Sequence, residues 1–147
     1  MGRWEAVLFD LDGTLLDSVP LILESYRHAF EAHGLVPRER AEILAGLGTP
    51  LEAQLRRWVP EGQVPALLET YLAHNLAVHD DFARPFPGVV TLVEGLRAAG
   101  TEVAVVTSKR RRGTRRGLAV LGLEAAFAAL VCADDVARPK PDAEPVE

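Results

Sequence analysis

Residues 7–18 read Val-Leu-Phe-Asp-Leu-Asp-Gly-Thr-Leu-Leu-Asp-Ser, a short apolar run that leads directly into two aspartates spaced two apart. Residues i and i+2 of a β-strand point to the same side, so a strand that ends near Asp10 brings Asp10 and Asp12 to one small volume. Gly13 permits a sharp departure of the backbone, and open amides from Leu11 to Gly13 are expected to cradle a phosphate. The pattern predicts nucleophilic attack by one carboxylate on phosphorus, with the other as general acid and base.

The order Asp10-x-Asp12-Gly13-Thr14 after an apolar strand resembles the first motif of the haloacid dehalogenase-like (HAD-like) phosphatases. The resemblance implies that Asp10 becomes an aspartyl-phosphate and that Asp12 transfers the proton. It also implies a Mg²⁺ cofactor, bound by the Asp10 carboxylate and the Asp12 backbone carbonyl. Leu11, Gly13 and Thr14 then belong to the phosphate-binding loop.

A later segment resembles the second motif of the same family. The apolar run 103–106 ends at Thr107-Ser108-Lys109, and the carboxyl edge of an open α/β sheet is where such folds place their ligands. The resemblance implies that the Thr107 hydroxyl binds a phosphoryl oxygen and that the backbone amide of Ser108 assists. Lys109 is expected to add positive potential near the phosphate.

Lys140, which precedes a proline, resembles the lysine of the third motif. A compact ammonium there offsets the repulsion between Asp10 and a phosphate dianion. The chain has only two lysines, Lys109 and Lys140, beside fourteen arginines, which suggests positions where a guanidinium does not substitute. Asp134 and Asp135 are interpreted as loop or N-cap residues, because they precede this lysine.

The order of periodic segments predicts an α/β fold with an insertion. Helical periodicity without a strand pattern continues to about residue 81, and strand and helix patterns alternate after the Pro-rich linker 84–88. Together with the resemblance, this predicts a Rossmann-like three-layer core with a parallel sheet, formed by residues 1–16 and 84–147. Residues 17–83 are predicted to form an inserted α-helical cap.

Composition excludes several classes of function. No apolar run approaches the ~18 residues of a membrane span, and the net charge of −5 argues against a nucleic-acid binder. The basic run 109–112 is interpreted as a solvated helix turn, and the four histidines as ordinary helix-surface residues. The single cysteine, Cys132, and the lack of a leader predict a cytoplasmic protein. The sequence leaves the oligomeric state open.

The resemblance favours a magnesium-dependent phosphatase of a small phosphorylated metabolite, similar to phosphoglycolate phosphatases. The alternatives are a pyrophosphatase, a sugar-phosphate mutase relative, or a noncatalytic HAD-like binding protein. Phosphatases of this kind carry a fourth, acidic motif on a later strand, and no such motif follows the third one here. At about 30 residues for each βα unit, we expect the core to be incomplete at its carboxyl end and the magnesium site to lack a ligand.

Overall fold

The computed structural model describes residues 4–147, in which helices flank a parallel sheet. A further group of helices comes between the second and third strands in the order of the chain. The predicted α/β fold with a parallel sheet is confirmed. The elements, in chain order, are β1 (Ala6–Phe9), β2 (Leu16–Asp17), α1 (Val19–Ala32), α2 (Arg40–Ala45), α3 (Leu51–Leu55), α4 (Val64–Ala77), α5 (His79–Phe82), β3 (Arg84–Pro85), α6 (Val89–Ala98), β4 (Glu102–Val106), α7 (Arg111–Leu121) and β5 (Ala129–Val131).

The parallel sheet has the strand order β1-β4-β5, so β4 lies in the middle. Phe9 of β1 pairs with Val105, and Val106 pairs with Val131 of β5. Val103 and Val105 point into the core and are almost completely buried, as expected for a strand covered by helices. This pairing brings the carboxyl ends of β1 and β4 to one edge of the sheet.

The helix α1 opens the helical segment and buries one face. Pro20 stands in its first turn, where a missing N–H costs nothing, and the helix ends before Gly34, whose φ is +67°. Tyr26 and Phe30 pack in a hydrophobic cluster formed within the segment between β2 and β3. A second cluster surrounds the parallel sheet and includes Val93 of α6 and Leu118 of α7, together with Leu21 of α1. The segment between β2 and β3 therefore has a hydrophobic cluster of its own, and α1 also contacts the cluster of the sheet.

Two short strands join the helical segment to the sheet. Leu16 pairs with Pro85 and Asp17 with Arg84, so β2 and β3 form an antiparallel ribbon. The ribbon joins the beginning and the end of the helical segment. The Pro-rich linker predicted for residues 84–88 thus begins as a strand, which its sequence does not indicate. The ribbon fixes where the chain leaves and re-enters the sheet region.

Candidate active site

Asp10 directly follows β1 and lies beside the carboxyl end of β4, because Phe9 pairs with Val105 in the parallel sheet. Lys140 crosses this edge of the sheet: its Nζ donates to the Val106 carbonyl oxygen at 3.1 Å and lies 3.3 Å from Asp10 Oδ1. The Asp10 side chain is 36% exposed, so a ligand can reach it. The structure brings the predicted nucleophile and the predicted third-motif lysine into contact.

Asp12 is held at one carboxylate oxygen by two donors. Ser18 Oγ donates to Asp12 Oδ1 at 2.6 Å, and Lys109 Nζ donates to the same oxygen at 3.0 Å. Ser18 is completely buried, and the Lys109 side chain is only 13% exposed. Each lysine of the chain therefore pairs with one of the two aspartates. The contact between Ser18 and Asp12 was not predicted from the sequence.

The loop after β1 uses its amides internally. The Leu11 amide donates to Asp10 Oδ1 at 2.8 Å, the Gly13 amide to the Leu16 carbonyl at 2.9 Å, and the Thr14 amide to the Leu11 carbonyl at 3.2 Å. Gly13 has a φ of +78°, which agrees with the predicted sharp turn. The expectation of open amides is wrong at Leu11, whose amide is taken by the Asp10 carboxylate, and at Gly13, whose amide closes the tight turn.

The segment after β4 lies against the helices. The Thr107 amide donates to the Val131 carbonyl at 2.9 Å, and Thr107 Oγ1 accepts from the Lys109 amide at 3.1 Å. Ser108 Oγ donates to the Gly48 carbonyl at 2.6 Å, which joins this segment to the loop between α2 and α3. The Ser108 hydroxyl is thus directed to the helical segment rather than toward Asp10.

Acidic residues from other elements neutralise part of the basic run. The Arg111 amide donates to Asp134 Oδ1 at 2.7 Å, and its guanidinium pairs with Asp135 at 2.5 Å. Arg110 Nη2 lies 3.7 Å from Glu52 Oε2. The Cys132 amide, followed by Arg111, holds the pKa of Asp135 below its usual range. Asp134 and Asp135 have the loop and capping roles that were predicted for them.

His79 is buried, so its prediction as a surface residue is wrong. Its helix α5 has four residues, too few to show a periodicity, and the side chain is 0% exposed. Burial lowers the pKa of His79, and the nearby Lys109 charge lowers it further. His79 Nδ1 lies 3.1 Å from Asp80 Oδ1, whereas Nε2 is buried with no hydrogen-bond partner among the described residues.

An open cleft of about 630 Å³ adjoins Lys140. One wall is the loop segment 47–49 between α2 and α3, and the other is formed by residues 140–143 and Val146. Lys140 therefore belongs both to the wall of this cleft and to the ion pair with Asp10.

A family model described as haloacid dehalogenase-like hydrolase matches residues 7–147, nearly the whole chain. The chain belongs to the haloacid dehalogenase-like hydrolase family. The matched residues include both aspartates and both lysines of the site just described.

Two HAD-like relatives show how much of such a protein the chain represents. It is 39% identical over 141 residues to pyrophosphatase PpaX from Halalkalibacterium halodurans, which covers 96% of the chain and 65% of that protein. It is 33% identical over 143 residues to phosphoglycolate phosphatase from Agrobacterium fabrum, with coverages of 92% and 61%. The chain therefore spans less than two thirds of the length of these relatives.

The HAD-like fold is also supported by a crystal structure described as a predicted phosphoglycolate phosphatase from Haemophilus somnus. The two structures align with a TM-score of 0.89 at 22% sequence identity, over 99% of this chain and 70% of that one. Within residues 4–147, no helix is both long and apolar enough to cross a membrane.

The Mg²⁺ ion implied by the HAD-like resemblance can be tested against the donors present. Across residues 4–147, no group of three or more histidine, cysteine, aspartate or glutamate side chains is placed to hold a metal. Mg²⁺ commonly binds through one or two carboxylates, keeps several waters and takes substrate phosphate oxygens. The Asp10 carboxylate and the Asp12 carbonyl are oxygen donors of the right kind, so they fit a partial, water-rich magnesium site.

Proposed function

We propose that this chain carries the active site of a magnesium-dependent phosphatase that hydrolyses a small phosphorylated metabolite through an aspartyl-phosphate on Asp10. The observation that carries the proposal is the pairing of Lys140 with Asp10 and of Lys109 with Asp12. Two carboxylates and a phosphate dianion repel one another, and two ammonium groups offset that repulsion.

The proposed reaction has two half-reactions at Asp10 and Asp12. In the first, an Asp10 carboxylate oxygen attacks phosphorus, the bond from phosphorus to the leaving oxygen breaks, and protonated Asp12 gives that oxygen its proton. In the second, water attacks phosphorus and Asp12 accepts a water proton. The bond between phosphorus and Asp10 then breaks, and inorganic phosphate leaves.

The other residues of the site assist by charge and hydrogen bonding. Thr107 Oγ1 accepts from the Lys109 amide, which leaves the hydroxyl proton free to donate to a phosphoryl oxygen. Lys140 attracts the phosphate beside Asp10. Magnesium, held by the Asp10 carboxylate and the Asp12 carbonyl, would screen the phosphate charge.

We further propose that residues 17–83 form the cap over a core formed by residues 1–16 and 84–147, of which residues 1–3 lie outside the described residues. The separate hydrophobic clusters and the β2–β3 ribbon support this division. The loop segment between α2 and α3 contacts Ser108 through the Gly48 carbonyl and lines the cleft beside Lys140. A cap loop in this position selects the leaving group and excludes water. A cytoplasmic location, supported by the single buried thiol of Cys132, is part of the proposal.

Pyrophosphate is the second candidate substrate. The relative from Halalkalibacterium halodurans is named a pyrophosphatase and is more similar to the chain than the relative named phosphoglycolate phosphatase. The same residues serve either substrate, because both reactions transfer a phosphoryl group to Asp10. The substrates differ in the leaving group, which is an alcohol oxygen in one and phosphate in the other.

Phosphate release from phosphoglycolate, pyrophosphate and p-nitrophenyl phosphate, measured with and without Mg²⁺, tests the proposal. Mass spectrometry of the acid-quenched reaction should find a phosphate adduct on the peptide that contains Asp10. Asp10→Asn should abolish both signals and leave the fold intact, because an amide is nearly isosteric but does not attack phosphorus. Asp81→Asn, which changes an exposed carboxylate, is the matched control and should keep both signals. Equal turnover by Asp10→Asn would exclude Asp10 as the nucleophile.

A further inference from the structure

The stem of Lys109 lies in space that a side chain at Gly113 would occupy. A Cβ atom built on Gly113 would stand 2.9 Å from Lys109 Cε, which is closer than real Cβ contacts allow. The same atom would meet Lys109 Cδ and Cγ at 3.5 Å. The ammonium group at the end of this stem reaches Asp12 Oδ1 at 3.0 Å. The path of Lys109 to Asp12 therefore runs over the bare backbone of Gly113.

The backbone itself does not require glycine at this position. Gly113 lies in the first part of α7, and it is absent from the glycines with a positive φ in the described chain. Glycine within a helix is less stable than alanine, so a helical glycine without a conformational reason calls for another explanation. The contact with the Lys109 stem supplies one.

We propose that Lys109 is a positioning residue for Asp12 and that Gly113 makes this position possible. Lys109 and Ser18 both donate to Asp12 Oδ1, which leaves Oδ2 as the oxygen that exchanges a proton with the leaving group or with water. Two donors on one oxygen fix the rotation of the carboxylate. This inference rests on the proposed function, since it assigns the orientation of the acid and base of that reaction.

A lysine suits this task better than the arginines beside it. An ammonium group is compact and ends a slender stem, whereas a guanidinium is planar and broad. The Lys109 side chain is largely buried. Its charge also acts on His79, because burial is the larger cause that lowers the pKa of His79 and the Lys109 charge is the second. Positive charge is abundant at the amino end of α7, where three arginines follow Lys109. The narrow path over Gly113, rather than the charge, therefore explains why position 109 is a lysine.

A stability experiment tests the packing without any need for activity. Gly95→Ala, at an exposed position of α6 with open space around it, is the matched control and should raise the Tm through helix propensity. Gly113→Ala should raise the Tm less, because the new methyl group displaces Lys109 Cε, the atom next to the ammonium group that bonds Asp12. In a Lys109→Ala background the two alanine substitutions should give equal gains. Equal gains already in the wild-type background would overturn the role of Gly113.

A second cycle tests the link to Asp12. Lys109→Ala and Asp12→Asn should be non-additive in their effects on the free energy of unfolding, and Gly113→Ala should remove that coupling. Additive effects in the wild-type background would overturn the positioning role. This result is independent of turnover, so it separates failure of the inference from failure of the proposed function.

Comparing two substrates with different leaving groups distinguishes a role in positioning Asp12 from a purely structural role. Gly113→Ala should slow release of the leaving group in the first turnover about 10-fold for an alkyl phosphate, a fraction of the full general-acid contribution, and less than about 2-fold for p-nitrophenyl phosphate, whose leaving group needs little protonation. The Kd of each substrate should stay the same. An equal loss of this first-turnover rate on both substrates, or none on either, would contradict an effect on proton donation by Asp12.

Discussion

Replacing Gly46 with alanine tests how the loop between α2 and α3 is held. Gln54 is 4% exposed and makes two hydrogen bonds: Tyr26 Oη donates to its Oε1 at 2.9 Å, and its Nε2 donates to the Ile43 carbonyl at 3.1 Å. A Cβ on Gly46 would lie 2.1 Å from Gln54 Nε2. The φ of Gly46 is −100° and its ψ is 4°, a combination that non-glycine residues adopt in type I turns, so the backbone does not require glycine here. The substitution therefore acts by displacing Gln54.

The size of the effect follows from the two hydrogen bonds. Each contributes about 1 kcal/mol, and a displaced Gln54 leaves the buried Tyr26 hydroxyl and the Ile43 carbonyl without these partners. We therefore expect Gly46→Ala to lower the free energy of unfolding by about 2 kcal/mol. At about 3 °C per kcal/mol for a chain of this size, the Tm should fall by about 6 °C.

Urea unfolding followed by circular dichroism measures this loss. Gly62→Ala is the control, since its Cβ meets nothing within 4 Å, and it should change the free energy of unfolding by less than about 0.5 kcal/mol. In a Gln54→Ala background, Gly46→Ala should leave the free energy of unfolding almost unchanged, because the side chain that it displaces is absent. A full loss in both backgrounds, or none in the wild type, would refute the reasoning.

Three further predictions concern the charged residues. Asp12→Asn should lower kcat by about 10²-fold or more while the circular dichroism spectrum stays the same, since an amide does not transfer the proton. Lys140→Arg should lose activity despite its charge, because a guanidinium does not fit an ammonium position, and wild-type kcat/KM would contradict this. The folded-state pKa of His79 lies below 6.5, so the unfolded chain binds the proton more readily and stability should fall as the pH drops below 6.5. Urea titrations at several pH values should show a flatter dependence for His79→Gln than for His33→Gln, which changes an exposed histidine.

The features that the sequence predicted are those encoded by local patterns. A four-residue apolar run before Asp10 is sufficient for β1, and a parallel strand that ends there must present the aspartate at the sheet edge. The helix α7 and its end at Gly122, whose φ is +67°, follow from periodicity and a left-handed glycine in the same way. The proximity of Lys140 to Asp10 came from the family resemblance, not from any local pattern.

The features that the sequence missed depend on side-chain paths across the fold. The contact from Lys109 to Asp12 joins residues 97 positions apart and needs the bare surface of Gly113, which no periodicity reveals. His79 looked exposed because a four-residue helix has too few turns to show its buried face. The β2–β3 pairing was missed for a different reason, because Pro85 lacks an N–H and normally argues against a strand.

Because the chain has only two lysines, their side chains can be labelled selectively. Its only side-chain amines are those of Lys109 and Lys140, and each lies beside an aspartate at the same edge of the sheet. Reductive methylation with ¹³C-formaldehyde thus adds side-chain labels only at the candidate active site, apart from the α-amino group. The two dimethyl-lysine signals in an NMR spectrum then report separately on Asp10 and Asp12. A ligand that approaches one aspartate before the other becomes visible without any engineered probe.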